Sequence, residues 1–448
     1  MNDNNTQAEA TKLSQELTIQ LLALVASVNT KYKYYNADNH TRPLGISMPV
    51  KMKDITPGVG WASRAITALS DRLNFDGFAN DQFGLNTYFD QIYAGQKINN
   101  IIDDTLIAGC AFALVNWDNS LGRYTFTPFT AQEATAVIDI KTGLVKYGLA
   151  VTKWGKKPYL PAIPETALTS YPRDWVITTA NYTATFIDGK FEGVAINPTG
   201  RNLMCAFTHR RNLNRPLGKS RITKTVRRIV NEMARVKQRQ EVAEEFYSTP
   251  QRYINGLANG AKIDSSIDLA IGKWLNVTKD EDGDKVDIGQ LAQMSISGFT
   301  EAKKDLARDF CAETGLTLRN LGYETGNPTS AESLKTMSDD LLLEAQACQD
   351  ELGEQIKQLA ITLRQVSDQN PVVSDSLKTM EPVWRPIFQS DPGAMGDAIY
   401  KILQAMPEMA GSTVLYQMLG MSVRDIEKLR QQPAQTSFLK GLETGGNQ

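Results

Sequence analysis

The chain has 448 residues, 42% of them apolar and 22% charged, with a formal net charge of −2. This is the composition of a folded chain and not of a disordered one, and the length implies about two to four packed units in place of a single core. A near-neutral total excludes the overall basic balance of proteins that grip nucleic acid tightly.

The longest apolar run, TLIAGCAFALVNW at 105–117, falls far short of the roughly 20 residues that cross a bilayer. The start, MNDNNTQAEA, has no basic region and no adjoining cleavage pattern, so a cytosolic origin is expected. Cys110, Cys205, Cys311 and Cys348 lack CxxC spacing and sit among apolar or helical residues, which reads as buried reduced thiols. His40 and His209 are the only histidines, and neither lies in a metal-binding arrangement. No metal, no cofactor and no histidine-based catalysis are therefore expected.

The spacing of Leu17, Leu21, Leu24, Val25 and Val28 predicts a helix from Leu17 to about Tyr35. A second helix is expected over about Gly60–Leu73, and a third from Phe89 leads into the apolar run at Ala111–Trp117, which has the character of a strand. Residues 123–207 alternate apolar and polar positions between turn signals such as Lys141-Thr142-Gly143 and Asp188-Gly189, so this region is β-rich. From Ser220 to Tyr247 the helical period returns, and Pro250 stops it because proline lacks the amide that the ladder needs.

Residues 251–297 read as short strands with a hairpin turn at Asp282-Gly283. A helix follows at about Phe299–Thr314, and then a glycine-rich loop, GLTLRNLGYETGNP, at 315–328. Thr329 and Glu332 have capping-box spacing and open the clearest helix of the sequence, whose apolar positions run from Leu334 to Val366 without a break. At 1.5 Å per residue it would be about 55 Å long and should span units or subunits. Helices at about Gly393–Met406 and Ser422–Gln431 precede a polar tail.

Several strings imitate known sites. Gly218-Lys219-Ser220 ends like a P-loop, but Leu213 stands where its first glycine belongs and Pro216 removes a donor from inside the loop. A turn with Ser220 as the N-cap of the following helix is the better reading. Gly58-Val59-Gly60 reads as a turn into a helix. Asp280–Asp284 resembles a calcium loop, but its glycine, Gly283, falls at the fourth position and Leu291 at the twelfth, so it reads as a charged hairpin tip.

The basic cluster is the stronger signal. Between Arg210 and Arg239 there are eleven basic residues against one acid, Glu232. Arg221, Lys224, Arg228, Arg235 and Arg239 fall close to one helical stripe. A solvated face usually mixes both signs. Positive charge in the first turns also opposes the helix dipole by a few tenths of a kcal/mol per residue unless an anion is near. DNA phosphates or the acids of a neighbouring chain, among them Glu241, Glu244 and Glu245, would supply that anion.

Five strings taken in order resemble the portal proteins of tailed double-stranded DNA bacteriophages, in the long-tailed branch: KYKYYNADNH (31–40), RAITALSDRLNFDGF (64–78), the helix start at Leu217-Gly218-Lys219-Ser220, TPQRYINGL (249–257) and GNPTSAESL (326–334). One departure is Ala37, where that family often has glycine after the tyrosine pair. The resemblance implies an α+β, predominantly helical portal fold: a wing from 1–217 with 331–390, stem helices at 218–247 and 298–314, a β-rich clip at 248–297, a tunnel loop at 315–330 and a helical crown at 391–448. It also implies a ring, usually of twelve subunits, at one capsid vertex of the virion, assembled in the host cytoplasm.

In such a ring double-stranded DNA passes along the axis during packaging and ejection. The terminase large subunit, which is the packaging ATPase, docks on the clip, and head-completion, capsid and scaffolding proteins are further partners. The portal itself is not an enzyme. On this reading Leu316, Thr317, Leu318, Arg319, Asn320, Tyr323 and Gly326 lie near DNA, with Arg319 the cation that reaches phosphate. The clip tip, with Lys279, Asp280, Asp282, Asp284, Lys285 and Asp287, meets the terminase or an adaptor. A near-neutral total suits a conduit, because a strongly basic channel would hold DNA that must slide. Two rivals are a stand-alone DNA-binding protein that grips phosphates through 219–239, and a hydrolase using carboxylates near Asp71 and Asp76.

Overall fold

The computed structural model describes residues 3–41, 57–156, 170–247, 252–255, 287–290, 295–323, 339–385 and 392–409, with Ser412, Leu415, Tyr416, Met421, Ser422 and Ile426. The chain divides into two compact units: Met1–Asn36, Ser63–Thr223 and Pro328–Gln448 form one, and Ala37–Ala62 and Lys224–Asn327 the other.

The first unit is built on antiparallel sheet. Helix α1 (Asp3–Tyr35) begins earlier than its apolar period, because its first turns are polar and only the stripe from Ala10 onward is buried. Leu13, Leu17, Leu21 and Val25 pack on Leu149, Trp175, Ile177 and Phe186 of a five-stranded sheet. Its order is β4 (Ala134–Ile138), β5 (Val145–Gly155), β6 (Tyr171–Thr178), β7 (Tyr182–Ile187), β8 (Lys190–Ile196). The buried Trp175 Nε1 donates to Ser14 Oγ of α1 at 2.8 Å, which satisfies the one polar atom of that ring.

A three-stranded sheet stands beside it, with β2 (Cys110–Asp118) between β3 (Arg123–Thr130) and β9 (Met204–Thr208). The apolar run at 111–117 is thus a central strand, buried on both faces over its first six residues. The helical stretch ahead of it is broken. Helices α2 (Trp61–Ser70), α3 (Leu85–Gln91) and α4 (Ala94–Ala108) are separate, and Tyr93 at φ 55° in the left-handed region divides α3 from α4.

The long helix α7 (Asp339–Asp368) packs against β3, β9 and β12 (Glu381–Trp384), and β12 pairs antiparallel with β1 (Phe75–Ala79). Its expected capping box at Thr329 and Glu332 lies outside the described residues. A one-turn helix α8 (Asp375–Lys378), capped by Ser374, precedes β12, and α9 (Pro392–Ala405) follows it.

In the second unit α5 (Lys224–Tyr247) packs with α6 (Ser297–Thr314). The rings of Trp61 and Phe310 meet at a tilt of 52° with 5.2 Å between centroids, and Asn39 Nδ2 donates to Asn231 Oδ1 of α5 at 3.1 Å. Strands β10 (Arg252–Asn255) and β11 (Asp287–Gln290) pair antiparallel, while the expected turn at Asp282-Gly283 lies outside the described residues. Ala37 has φ 58°, the left-handed conformation that glycine adopts without penalty, which is the physical reason for a glycine preference at that position.

Candidate functional site

The string LGKSR folds as a packed joint and not as a phosphate cradle. Gly218 has φ 73°, and a Cβ there would stand 2.4 Å from Gly109 O and 2.7 Å from His209 O. Its amide donates to Arg215 O at 3.0 Å, that of Lys219 to His209 O at 2.7 Å, and that of Arg221 to Leu106 O at 3.0 Å. A nucleotide loop needs such amides turned towards phosphate. These are turned into the protein.

Ser220 also departs from expectation. Its Oγ donates to Ile107 O at 2.5 Å and accepts from Ile222 N at 3.0 Å, and α5 starts only at Lys224. Ser220 therefore stitches the joint to α4 in place of capping α5.

Arg221 departs further, because it does not belong to an exposed helical stripe. Its side chain is 4% exposed; Nε donates to Ala65 O at 2.9 Å, and Nη1 forms a very short ion pair with Glu344 of α7. Arg210 reaches the same carboxylate at 3.1 Å from a side chain that is 58% exposed. Glu351, two turns along α7, accepts from the amides of Arg210 and Arg211 at 2.8 and 3.2 Å. His209 Nδ1 meets Lys219 O at 2.8 Å, and its Nε2 lies 3.9 Å from Glu344. Burial pushes the His209 pKa down to about 4, against a smaller opposing pull from the hydrogen bond and from Glu344.

Of the remaining stripe, Lys224, Arg228 and Arg239 are exposed and Arg235 is half-buried. At 100° per residue these four fall within about 60° of one another, opposite the buried Val226, Val230, Met233 and Ala234. Glu232 lies beside them, 3.0 Å from Arg228 and 3.9 Å from Arg235.

The expected DNA-proximal loop is described from Gly315 to Tyr323. Gly315 ends α6 at φ 65°, Leu316 is buried, and a 3₁₀ turn covers Leu318–Leu321. Thr317 N donates to Asn320 Oδ1 at 3.1 Å, which fixes the turn that presents Arg319 to solvent. Tyr323 is half-buried, and Gly326 lies outside the described residues. So do Lys279, Asp280, Asp282, Asp284 and Lys285, while Asp287 begins β11 opposite Asn255.

Of the carboxylates considered for hydrolysis, that of Asp76 is engaged structurally. Asp76 is buried and meets Arg385 at 3.3 Å, and Asp71 lies in the turn after α2, where its carbonyl accepts from Asn74. No group of three His, Cys, Asp or Glu placed to hold a metal occurs among the described residues. A second acidic pair, not singled out by any motif, joins helices: Asp104 accepts from Tyr32 Oη at 2.5 Å and Asp103 from Ser70. Burial raises both carboxyl pKa values, against the hydrogen bonds that lower them.

The fold and the site define an α+β protein in two units, with a charged helical unit and a packed joint where a nucleotide site would stand. Its curated relatives bear out the resemblance to phage portal proteins. It is 21% identical over 429 residues to the portal protein of Mycobacterium phage D29, covering 90% of this chain and 84% of that one. It is 21% identical over 421 residues to the portal protein of Mycobacterium phage L5, covering 89% and 83%. No family model matches the chain. Among solved structures, a chain from the neck of a native gene transfer agent particle computed with C12 symmetry has a TM-score of 0.46 at 12% identity, covering 86% of this chain and 97% of its own. A chain from the virion of a native gene transfer agent particle has a TM-score of 0.47 at 11% identity, with 88% and 99% covered.

Proposed function

We propose that this chain is a phage portal protein, a structural subunit that closes into a ring at one capsid vertex and forms the channel for double-stranded DNA. The observation that carries this reading is the likeness to two phage portal proteins along nine-tenths of the chain and more than four-fifths of theirs. A stand-alone DNA-binding module would match over one domain, and the −2 net charge also argues against a protein whose affinity comes from phosphate contacts.

On this proposal residues 1–217 with 331–390 form the wing, 218–247 and 298–314 the stem, 248–297 the clip, 315–330 the tunnel loop and 391–448 the crown. The subunit works without catalysis of its own, and the terminase large subunit supplies the ATPase at the clip. Head-completion proteins take the same end after packaging, while capsid and scaffolding proteins surround the wing. Arg319, exposed on a fixed 3₁₀ turn, is the cation assigned to passing phosphates. Lys224, Arg228, Arg235 and Arg239 face DNA or the acids of the next subunit.

Sedimentation of the purified protein tests the reading. A closed assembly of about twelve copies, unchanged on dilution, is expected from a ring of large heterologous interfaces. A monomer at every concentration, with DNA affinity that falls steeply with salt, would instead identify the stand-alone DNA-binding protein.

A further inference from the structure

The first unit holds a cavity of about 310 Å³, lined by residues that include Thr142, Lys146, Arg201, Asn202, Gln355 and Gln358. The loop carrying Arg201 is stiff. Asn197 Nδ2 donates to Arg201 O at 2.5 Å, and Thr199 donates to Asn197 Oδ1 through its amide at 3.1 Å and its hydroxyl at 2.7 Å. Asn202 continues the same bracing, with Nδ2 bonded to Lys146 O and Thr178 O, and Oδ1 to Met204 N. The polar atoms of this loop hold its own shape and so fix the backbone from which Arg201 reaches the cavity wall.

That guanidinium is short of counter-charge. Among the described residues it forms no ion pair, and the side-chain hydrogen bond it makes is from Nη2 to Gln358 Oε1. Gln358 in turn donates to Glu354, whose charge favours the charged guanidinium without pairing with it. Two other candidates for the missing charge do not serve. The Cys205 thiol beside Arg201 is buried, which raises its pKa and keeps it neutral. Asp139 on the cavity wall stays ionised, because the Lys141 amide and the Thr142 hydroxyl, each at 3.0 Å, stabilise its carboxylate, but they hold it in its own turn and it forms no ion pair with Arg201.

Arg201 is half-buried, and an arginine partly withdrawn from water without a carboxylate partner is unfavourable, while its planar fork of five donors matches oxyanions. The cavity beside it is large enough to bring such a group in. We propose that this pocket binds a small oxyanion of the phosphate class, with Arg201 as its principal ligand. The inference uses the pocket's own chemistry and does not depend on ring formation.

The test is a thermal-shift titration and calorimetry of the full chain with inorganic phosphate, against chloride at matched ionic strength. Phosphate should raise the midpoint saturably. Arg201→Gln removes the fork and should weaken binding by about tenfold or more, the worth of a charge-assisted pair. Gln358→Glu places a carboxylate within reach of the same guanidinium, so that it should keep or raise the midpoint without phosphate while losing the response to it. That second variant answers the question even if Arg201→Gln fails to fold. No saturable response in the parent chain, or an equal response in Gln358→Glu, would overturn the proposal.

Discussion

Gly218 carries more of the joint than its chemically richer neighbours. Its backbone is left-handed and its missing side chain leaves room for two carbonyls, Gly109 O and His209 O. Gly200 and Gly322 share the positive φ, but nothing stands within 4 Å of an added Cβ at either. The left-handed penalty alone is about 1–2 kcal/mol, and at Gly218 a backbone clash adds to it. Gly218→Ala should therefore lose about 3 kcal/mol or more in urea unfolding, and Gly200→Ala about 1 kcal/mol. Equal losses would show that the carbonyls can move aside.

His209 gives the same joint a pH dependence. Its folded pKa of about 4 lies below the ordinary value of 6.5, so between those values the unfolded chain binds the extra proton. The contribution is fully present above pH 6.5 and is lost as pH falls towards 4, by about 3 kcal/mol in total at 1.36 kcal/mol per unit. His209→Gln should flatten the stability profile across this window. A variant with the parent's slope there would mean that carboxylates alone set the acid limit.

Among the elements, α7 shows how packing overrides propensity. Gly353 lies inside the helix, where alanine is ordinarily better by about 1 kcal/mol. A Cβ at this position would stand 2.8 Å from Pro382 Cγ and 3.3 Å from Trp384 Nε1 of β12. Overpacking against a strand costs typically about 1–3 kcal/mol, so Gly353→Ala should destabilise on balance, and a gain in stability would show that β12 yields.

The apolar stripe of α7 from Leu341 to Val366 was legible in the sequence because helical periodicity is local, and so was the alternation that marks 123–207 as strands. Gly353 was not legible, because its reason lies in a strand almost thirty positions further on. Arg221 misled for the same reason. It continues the helical spacing of Lys224 and Arg228, yet its partner Glu344 is 123 positions away, and a buried pair of that separation leaves no pattern in either neighbourhood. Arg201 left no sequence signal either, since its interest is the lack of an ion-pair partner among the described residues, which only the packed surroundings reveal.

At the scale of the whole molecule the account rests on likeness along nearly the full chain to proteins that are named as portals. Where a P-loop would cradle phosphate, the amides of Gly218, Lys219 and Arg221 hold the joint together. The charge distribution agrees, because α5 has six basic residues against four acidic ones in a chain of net charge −2, which gives each copy a locally positive helix on an acidic body. A ring needs two different complementary surfaces on every copy, and a charged stripe on one helix is suited to be one of them.

Electron microscopy of the purified full-length chain tests that central claim most directly. The account predicts closed rings of about a dozen subunits around an open axis wide enough for duplex DNA. Isolated single particles, or open filaments without closure, across the concentrations at which the protein stays folded would contradict it.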